Sequence, residues 1–472
     1  MNIALIRPPK ISGAFEKILI QEPVNIAYLA AFLKAKGYQV CIWDFEVEPF
    51  TESAVREKIS RFSADVAAIT AMTPTINNAH ETALMLKKIK PSIVIVAGGA
   101  HVSALPEETL RDFPAFDYVV AGEGEIPLAE LCRKVAKKQA PSEVPCVAWR
   151  NNGTITLNKP GLPIEDLDSI PFPQRSLFNP LLYKNAYAAG ISMYGKRSTV
   201  VFTSRGCAQD CTFCAVKKTS GPRVRFRSAE NVIKELTECR DIFGYNHITF
   251  EDTNLTLNRE RFLNICAGLR KLKLTWDCQT KVSLVDKELI DIMKAGGCLK
   301  IAYGVESGSP KMLALMKKNI TPEQIRRAFQ LTHQAGIVAC GFFILGTHPE
   351  ETNDDVRQTE ALIHEIKPDV FQLGIICPYP GTEIYSIMKK EGLLPQADWK
   401  KFNFMHSRPQ WGTKHLSPAA LVSWQKKIYM RYILTPHFIL FVFRKMLNPR
   451  EIPQTIRLGL SLLKYLLLEK RG

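Results

Sequence analysis

The first third of the chain switches regularly between two kinds of apolar pattern. Short, nearly continuous apolar runs such as MNIALIR and QVCIWDF alternate with longer stretches such as NIAYLAAFLKAKGY, whose apolar positions follow a helical period. The short runs predict buried strands, and the longer stretches predict amphipathic helices. Because single helices separate successive strands, residues 1–137 are predicted to form a doubly wound, Rossmann-like parallel sheet.

A second series of strand and helix patterns begins at STVVFTSRG and continues to about residue 400. The five further strand patterns in it are HITFEDTN, LTWDCQTKV, LKIAYGVESG, VACGFFILG and DVFQLGIICP. Six such units predict a partial (β/α)6 barrel over residues 193–400, similar to part of a TIM barrel. The functional face of such a barrel is the carboxyl end of its strands. The expected fold class is therefore α/β in both segments.

Two segments lack this alternation. Residues 138–192 are rich in proline and weakly periodic, which predicts a linker that packs across both neighbours. Residues 401–472 are predicted to form a helical C-terminal region. A chain of 472 residues is longer than one core usually holds, which agrees with several domains.

Composition narrows the class of protein. Hydrophobic residues make up 46% of the chain and charged residues 23%, as in ordinary soluble proteins. Twelve cysteines are too dilute over this length for a disulfide scaffold. The N-terminus MNIALIRPPK does not have the pattern of a signal peptide, which predicts a cytoplasmic, reducing location. In that compartment, clustered cysteines are more often metal ligands than disulfides.

The net charge of +16 is concentrated at the C-terminus. Residues 424–472 contain ten Lys and Arg against two Glu, a net of +8. Their apolar stretches are shorter than the roughly 20 residues of a membrane span, but a basic amphipathic helix is suited to an anionic membrane interface. The sequence thus predicts peripheral contact with the inner membrane face. The alternative is that these helices pack on the barrel and leave their charges in solvent.

Three cysteines follow the first barrel strand in the polar loop SRGCAQDCTFC. Cys207, Cys211 and Cys214 can bind three corners of a 4Fe–4S cluster and leave one iron open. That iron can chelate S-adenosylmethionine, and an electron from the cluster can then split the sulfonium to a 5′-deoxyadenosyl radical. The alternatives are reduced structural cysteines or half of a zinc site, but a second CxxC is absent from the sequence. The three cysteines are therefore predicted to be the metal ligands and catalytic residues.

The triplet, with Phe213 before its last cysteine, resembles that of the radical S-adenosylmethionine enzymes. The resemblance extends over about 195–390 as motifs at strand ends. FEDTN looks like the acidic second-strand motif, which implies that Glu251 and Asp252 accept the methionine amino group. Taken alone, a carboxylate at a strand end is more often a cap or a solvated group.

Three further positions follow from the same resemblance. Lys281, in KVS, stands where the family often has a basic or polar residue near the methionine carboxylate. GVESG resembles the fourth-strand motif, so Glu306 is expected to reach the ribose hydroxyls. GFFILGTHPEE, which contains Gly346, looks like the fifth-strand motif that lines the adenosine pocket.

The first domain resembles the cobalamin-binding domain of the cobalamin-dependent radical enzymes. The segments GGAHVSALPEETL and VAGEGEIPLAEL carry the resemblance. It implies cobalamin contacts by the glycines and their polar neighbours, namely Gly98, Gly99, His101, Gly122, Glu123 and Gly124. The alternative is that the glycines only turn the chain and that His101 is an ordinary surface residue.

The histidine motif D-x-H-x-x-G, which many cobalamin proteins use to ligate cobalt, does not occur in this domain. Neither His80 nor His101 has the preceding acid and the following glycine. The resemblance therefore implies cobalamin without a protein histidine ligand, with Thr73 of the TPT segment covering the lower cobalt face.

Together these features predict an enzyme that methylates an unactivated carbon of a small or lipid-like substrate, with an external electron donor. The first alternative is a cobalamin-dependent cyclase or rearrangement enzyme without methyl transfer. A remote alternative is a nucleic-acid-binding iron–sulfur protein. That class would interleave basic and aromatic residues, whereas here the excess charge accompanies aliphatic runs, so we expect no nucleic-acid partner.

Overall fold

A computed structural model describes residues 1–10, 20–183, 193, 195–395, 398–402, 409–456 and 459–460. All structural statements below concern these residues.

The first half of the chain forms a seven-stranded sheet with helices on both faces. Its strands are β1 (Asn2–Arg7), β2 (Gln39–Asp44), β3 (Val66–Thr70), β4 (Val94–Gly98), β5 (Tyr118–Val120), β6 (Val147–Asn151) and β7 (Thr154–Leu157). The strand order is β2-β1-β3-β4-β5-β6-β7, and β1 to β5 are parallel. The predicted doubly wound sheet is thereby confirmed.

The helices of this half are α1 (Val24–Ala35), α2 (Glu52–Arg61), α3 (Ile76–Ile89), α4 (Ala100–Ala104), α5 (Pro106–Asp112) and α6 (Glu125–Ala136). Two apolar cores lie on the two faces of the sheet. In β1, Ile3 and Leu5 point into one core while Ala4 and Ile6 point into the other. Because both faces are buried, the strands are continuously apolar in sequence.

The segment predicted as a linker contains part of the first sheet, which corrects that prediction for residues 147–157. Strand β6 pairs antiparallel with β5, and β7 pairs antiparallel with β6. The turn between them places Asn152 and Gly153 at φ of +48° and +83°. An Asn-Gly pair with positive φ at both positions is typical of a two-residue β-hairpin, so the local signal was present in the sequence.

The second half of the chain forms a six-stranded parallel sheet and a short hairpin. Its strands are β8 (Ser198–Val201), β9 (Ser204–Arg205), β10 (Arg225–Phe226), β11 (His247–Phe250), β12 (Thr275–Thr280), β13 (Cys298–Glu306), β14 (Val338–Leu345) and β15 (Val370–Ile375). The order in the large sheet is β15-β14-β13-β12-β11-β8. Strands β9 and β10 form the hairpin. All six predicted barrel strands are present.

The helices of this half are α7 (Val216–Ser220), α8 (Ala229–Asp241), α9 (Arg259–Leu272), α10 (Lys287–Ala295), α11 (Pro310–Leu315), α12 (Pro322–Gln334), α13 (Asn353–Ile366), α14 (Glu383–Lys390), α15 (Pro418–Ile433) and α16 (Pro436–Met446). They surround one large core that includes Trp276, Phe262 and Phe329. Helix α15 packs on β15, and α16 follows it. Within the described part of the chain, we find no helix with the length and apolarity needed to cross a bilayer.

A buried ion-pair cluster joins the two halves. Arg175, in the connecting segment, lies 2.8 Å from Glu235 of α8, and both side chains are fully buried. Arg227 also pairs with Glu235, and Tyr28 of α1 donates a hydrogen bond to the same carboxylate at 3.1 Å. Buried charges are costly unless they are paired. The cluster therefore favours one relative position of α1, the connecting segment and the second sheet.

Candidate functional site

The cysteine loop leaves the β9 strand through a glycine that the backbone requires. Gly206 has a φ of +90°, and an added Cβ would collide with the carbonyl oxygen of Arg223. A side chain is excluded there both by conformation and by space. Further along, the N–H of Thr212 donates to the carbonyl of Met316 at 3.1 Å, and its own carbonyl accepts from Ile384 at 2.9 Å. The loop is thus held in place from several sides.

The three thiols of this loop are neighbours, but they do not converge on a single point. Within the described part of the chain, their sulfurs are not close enough together to share one ion. A cubane cluster instead binds each thiolate at a separate iron corner. Burial raises the pKa of both Cys211 and Cys214, and the negative charge of a Cys207 thiolate raises it further. Three neighbouring thiols with separated sulfurs fit a 4Fe–4S cluster better than a mononuclear ion.

A partly buried lysine lies beside the cysteine loop and was missed by the sequence analysis. Lys318 Nζ donates to Glu306 Oε1 at 2.7 Å and lies 5.8 Å from the ring centre of Phe213. Burial lowers its pKa, but the charge and hydrogen bond of Glu306 outweigh this effect, and the pKa is raised overall. The ammonium also lowers the pKa of Cys211 and Cys214. Lys318 is thus a fixed positive charge next to the thiols.

Glu306 itself has an unusual backbone. Its φ is +67°, and the register between β13 and β14 shifts between Gly304 and Glu306. A positive φ is uncommon for a residue with a side chain, and such strain occurs often at functional sites. The irregularity carries the carboxylate out of the regular alternation of the strand, toward Lys318 at the carboxyl end of the sheet.

Lys281 reaches the same loop from the end of β12. Its Nζ donates to Oε1 of Gln209, which stands between the first two cysteines, at 3.2 Å. The pKa of Lys281 is lowered overall. Burial and the nearby charge of Lys318 lower it, and the smaller effects of Cys211 and Cys207 oppose them. The structure therefore brings Lys281, Glu306 and Phe213 together around the cysteines, as their predicted roles require.

The two acidic residues after β11 have different environments. Burial raises the pKa of Glu251, and its Oε1 accepts a hydrogen bond from Gln21 at 3.1 Å. Asp252 is 2% exposed, and its carboxylate accepts hydrogen bonds from the N–H and hydroxyl of Thr203 and the hydroxyl of Ser204. These bonds hold the segment that leads into the cysteine loop. The predicted contacts of Glu251 and Asp252 with the methionine amino group stay predictions.

Gly346 directly follows β14 and lies beside helix α15. An added Cβ would lie 3.0 Å from Leu421 Cδ1, and the residue has a φ of +73°. Protein packing therefore accounts for this glycine without a ligand. Its predicted place in an adenosine pocket stays a prediction.

The carboxyl edge of the first sheet contains a buried histidine. His101 is 1% exposed, its Nδ1 lies 3.2 Å from Thr73 Oγ1, and its ring packs edge-on against Trp399. Burial lowers its pKa to about 4, so the imidazole is neutral at physiological pH. The alternative that His101 is an ordinary surface residue is wrong. The structure does bring Thr73 and His101 together at the end of β3 and β4.

Gly98 and Gly99, at the end of β4, differ in whether packing leaves room for a side chain. At Gly99, an added Cβ would lie 2.7 Å from the carbonyl oxygen of Ala71, at a φ of +101°. Close approach of two strand ends explains this glycine. At Gly98, a Cβ would meet only the Val120 carbonyl oxygen, at an ordinary 3.7 Å. Packing does not require a glycine at position 98, and its predicted contact with cobalamin stays a prediction.

The loop after β5 forms ion pairs with residues of the second half of the chain. Glu123 forms ion pairs with Arg225 and Arg205, and Glu125 lies 2.6 Å from Arg205. Two guanidinium groups thus lie beside the Glu123 carboxylate, and its predicted contact with cobalamin stays a prediction. The sequence alone could not show these partners, which lie in another sheet.

The flanking glycines of that loop also lie at the interface. The N–H of Gly122 donates to the Ser103 hydroxyl at 2.8 Å, and its Cα faces the carbonyl of Thr219 in α7. Gly124 packs beside Leu29 of α1. Helix α4 packs against α7, which directly follows the cysteine loop. The carboxyl edge of the first sheet and the cysteine loop of the second thus face each other.

Comparison with known proteins agrees with this arrangement. The B12 binding domain model matches residues 19–132, and the Radical SAM superfamily model matches residues 201–363. An uncharacterised methyltransferase of Pyrococcus horikoshii is 32% identical over 444 residues, which cover 93% of this chain and 94% of that protein. The anaerobic magnesium-protoporphyrin IX monomethyl ester cyclase of Rubrivivax gelatinosus is 28% identical over 454 residues. That match covers 94% of this chain and 80% of the cyclase.

The fold also matches a solved structure. The radical S-adenosylmethionine methyltransferase TsrM from Kitasatospora setae, solved with cobalamin and a 4Fe–4S cluster, superposes with a TM-score of 0.72. The match covers 92% of this chain and 89% of that one, at 16% identity. At this identity the likeness concerns the fold.

Proposed function

The chain belongs to the family of radical S-adenosylmethionine enzymes that carry a B12-binding domain, and on that premise we propose that it methylates an unactivated carbon of a small molecule. The observation that carries this proposal is that both flanks of the cysteine loop meet the carboxyl edge of the first sheet: α7 packs on α4, and Arg205 pairs with Glu125. Residues 1–137, extended by the 147–157 hairpin, hold cobalamin in this proposal. Residues 193–400 hold the cluster and S-adenosylmethionine.

The enzyme uses a 4Fe–4S cluster, S-adenosylmethionine and cobalamin. When bound, the first two supply a radical that takes hydrogen from the substrate carbon, and cobalamin supplies the methyl group. The side chains of Cys207, Cys211 and Cys214 hold the cluster. Lys281 and Glu251 bind the charged ends of the methionine moiety, and Glu306, held by Lys318, binds the ribose hydroxyls.

The chain's other contribution is positioning and shielding. The ion pairs of Glu123 and Glu125 with Arg205 and Arg225 close the interface beside the cysteine loop. A closed interface excludes water and keeps reactive groups in register. His101, neutral and engaged by Thr73, is in this proposal a wall of the cobalamin site rather than a cobalt ligand.

Methyl transfer and cyclisation differ in what becomes of S-adenosylmethionine, and this difference tests the proposal. Methyl donation leaves S-adenosylhomocysteine, whereas reductive cleavage leaves methionine and 5′-deoxyadenosine. We expect the reconstituted enzyme, given a chemical reductant, methyl-labelled S-adenosylmethionine and a small-molecule and lipid extract of the producing cells, to form both nucleoside products. Label is expected in a product of the extract.

The matched control omits cobalamin. It should abolish S-adenosylhomocysteine and the labelled product while 5′-deoxyadenosine persists. Formation of 5′-deoxyadenosine alone by the complete enzyme would contradict methyl transfer and favour the cyclase alternative, whose chemistry is named for the Rubrivivax gelatinosus relative.

We further propose that helix α16 rests on an anionic membrane surface and that the substrate is lipid-like. One face of this helix and the residue after it is apolar and open to solvent: Ile439 is 54% exposed, Leu440 47%, Phe443 57% and Leu447 66%. Arg444 on the same helix is exposed, and the 424–472 region has a net charge of +8. Apolar side chains beside basic ones suit an anionic bilayer interface. The second stretch that carried this prediction is IRLGLSLLKYLLLEKRG, and its residues 457–458 and 461–472 lie outside the described residues.

Vesicle flotation tests the membrane contact. We expect the full-length holoenzyme to bind phosphatidylglycerol vesicles more strongly than phosphatidylcholine vesicles, and less strongly as salt is raised. Phe443→Glu should weaken binding by about tenfold or more, because a large side chain can no longer be buried. The matched control is Leu162→Glu, at a position that is 91% exposed in the connecting segment. Equal binding by the two variants would contradict the proposal, as would self-association in place of vesicle binding.

A further inference from the structure

Two histidines and an aspartate meet at the end of the barrel opposite the cysteine loop. His333 lies near the end of α12, Asp369 directly precedes β15, and His437 lies in the first turn of α16. The ligand atoms of the three side chains lie within 4.8 Å of one another. The cysteines follow the carboxyl end of β8, whereas this group lies at the amino end of β15. It is therefore separate from the site already described.

The distances within the group are too long for hydrogen bonds. His333 Nε2 lies 3.5 Å from Asp369 Oδ2, and His437 Nε2 lies 3.7 Å from Asp369 Oδ1. Nitrogen-to-oxygen hydrogen bonds are usually about 2.7 to 3.2 Å long. Both Nε2 atoms are buried and have no hydrogen-bond partner among the described residues. Buried polar atoms are seldom left in this state, so two orphaned nitrogens facing one carboxylate need an occupant.

The spacing suits ligands around one small ion. Metal–ligand bonds of about 2.0 to 2.1 Å place neighbouring ligand atoms about 3.3 to 3.4 Å apart in a tetrahedral site. The two observed separations are slightly longer than this edge, so a small adjustment of the rings closes the site. The backbone N–H of Ala339 donates to Asp369 Oδ2 at 2.9 Å and fixes the carboxylate. Such support is typical of metal-ligating carboxylates.

The donor set also suits a cation. Histidine binds a metal through a ring nitrogen that carries no proton, and the Asp369 carboxylate lies beside both rings.

We propose that His333, Asp369 and His437 bind one divalent transition-metal ion of the zinc class, with water as the fourth ligand. The two imidazole donors favour an ion of this class, because calcium and magnesium prefer sites made of oxygen ligands. The ion joins α12, β15 and α16, three elements far apart in sequence. It therefore pins the start of the C-terminal helix to the base of the barrel, independently of the proposed methyl transfer and of the membrane contact.

Zinc retention by the full-length holoenzyme tests this proposal. With the iron–sulfur cluster in place, so that the three cysteines are occupied, the protein is equilibrated anaerobically in a zinc buffer and desalted. Elemental analysis should find about one zinc per chain beside the cluster iron. His437→Gln, His333→Gln and the isosteric Asp369→Asn should each lose most of that zinc and keep their iron. His415→Gln, at an exposed histidine outside the group, should retain both metals.

A second readout reports on the helix. Zinc should slow hydrogen exchange of the amides of residues 438–446 by about tenfold or more in the wild-type protein, but not in Asp369→Asn, because a ligand protects the state that binds it. Iron content shows that each variant has folded. Failure of the wild-type protein to retain zinc, or equal retention by the three ligand variants, would overturn the proposal.

Discussion

Replacing Cys207, Cys211 or Cys214 with alanine is expected to abolish cleavage of S-adenosylmethionine. In the proposed site each thiolate binds one iron corner, and hydrogen bonds to Met316 and Ile384 hold the loop that carries them in place. Loss of residues that only support a metal ligand already costs about 10- to 100-fold. Loss of a ligand itself should lower the rate of 5′-deoxyadenosine formation by more than about 100-fold. The iron content and the cluster absorbance should fall with it.

Cys239→Ala provides the matched control. Cys239 is fully buried on α8, where burial raises its pKa to about 12, so its thiol is a packing group. This variant should keep its cluster and its cleavage rate, although it loses some stability. If the three loop variants kept full iron content and cleaved S-adenosylmethionine at the rate of Cys239→Ala, the cluster assignment would be wrong.

Lys318→Met is expected to weaken the binding of S-adenosylmethionine by about 10- to 100-fold, because hydrogen bonds to charged groups contribute about 1.5 to 3 kcal/mol. The substitution keeps an unbranched side chain of nearly the same length but removes the charge that pairs with Glu306. Glu306 is then a buried carboxylate without its cation, an arrangement that proteins avoid. Equilibrium dialysis of the cluster-loaded protein with labelled S-adenosylmethionine measures the effect.

The adjacent Lys317→Met variant is the control. Lys317 is about half exposed and pairs with Glu383 at 2.7 Å, away from Glu306. Surface pairs of this kind contribute little, so its affinity for S-adenosylmethionine should match that of the wild-type protein. Equal weakening in both variants, with iron content preserved, would show that Lys318 has no particular role in the site.

At the interface between the two sheets, the acidic loop after β5 has partners that the sequence did not indicate. Glu123 and Glu125 appear in sequence beside glycines that suggest a ligand loop, yet their carboxylates bind Arg205 and Arg225. These arginines belong to the hairpin that flanks the cysteine loop. The loop after β5 therefore ties the carboxyl edge of the first sheet to the hairpin beside the cysteine loop through ion pairs.

Local patterns in the sequence determined most of the architecture. The continuous apolar strands, the alternating helices and the position of three cysteines after β8 are readable because strand and helix periodicity depends on neighbouring residues. The hairpin of β6 and β7 was also readable, since Asn152 and Gly153 have the conformation that such turns require. The family resemblance of the cysteine loop pointed to Lys281 and Glu306, which do lie beside it.

Packing between distant segments decided the rest. Asp252 binds Thr203 and Ser204, nearly fifty positions earlier in the chain. Glu123 pairs with Arg225, and His437 lies beside Asp369 and His333. A buried charge must find a partner wherever the fold brings one, and sequence spacing carries no information about that partner. Composition and periodicity therefore determined which elements form and where the cysteines lie, whereas only the tertiary structure decided which polar side chains remain available for a ligand.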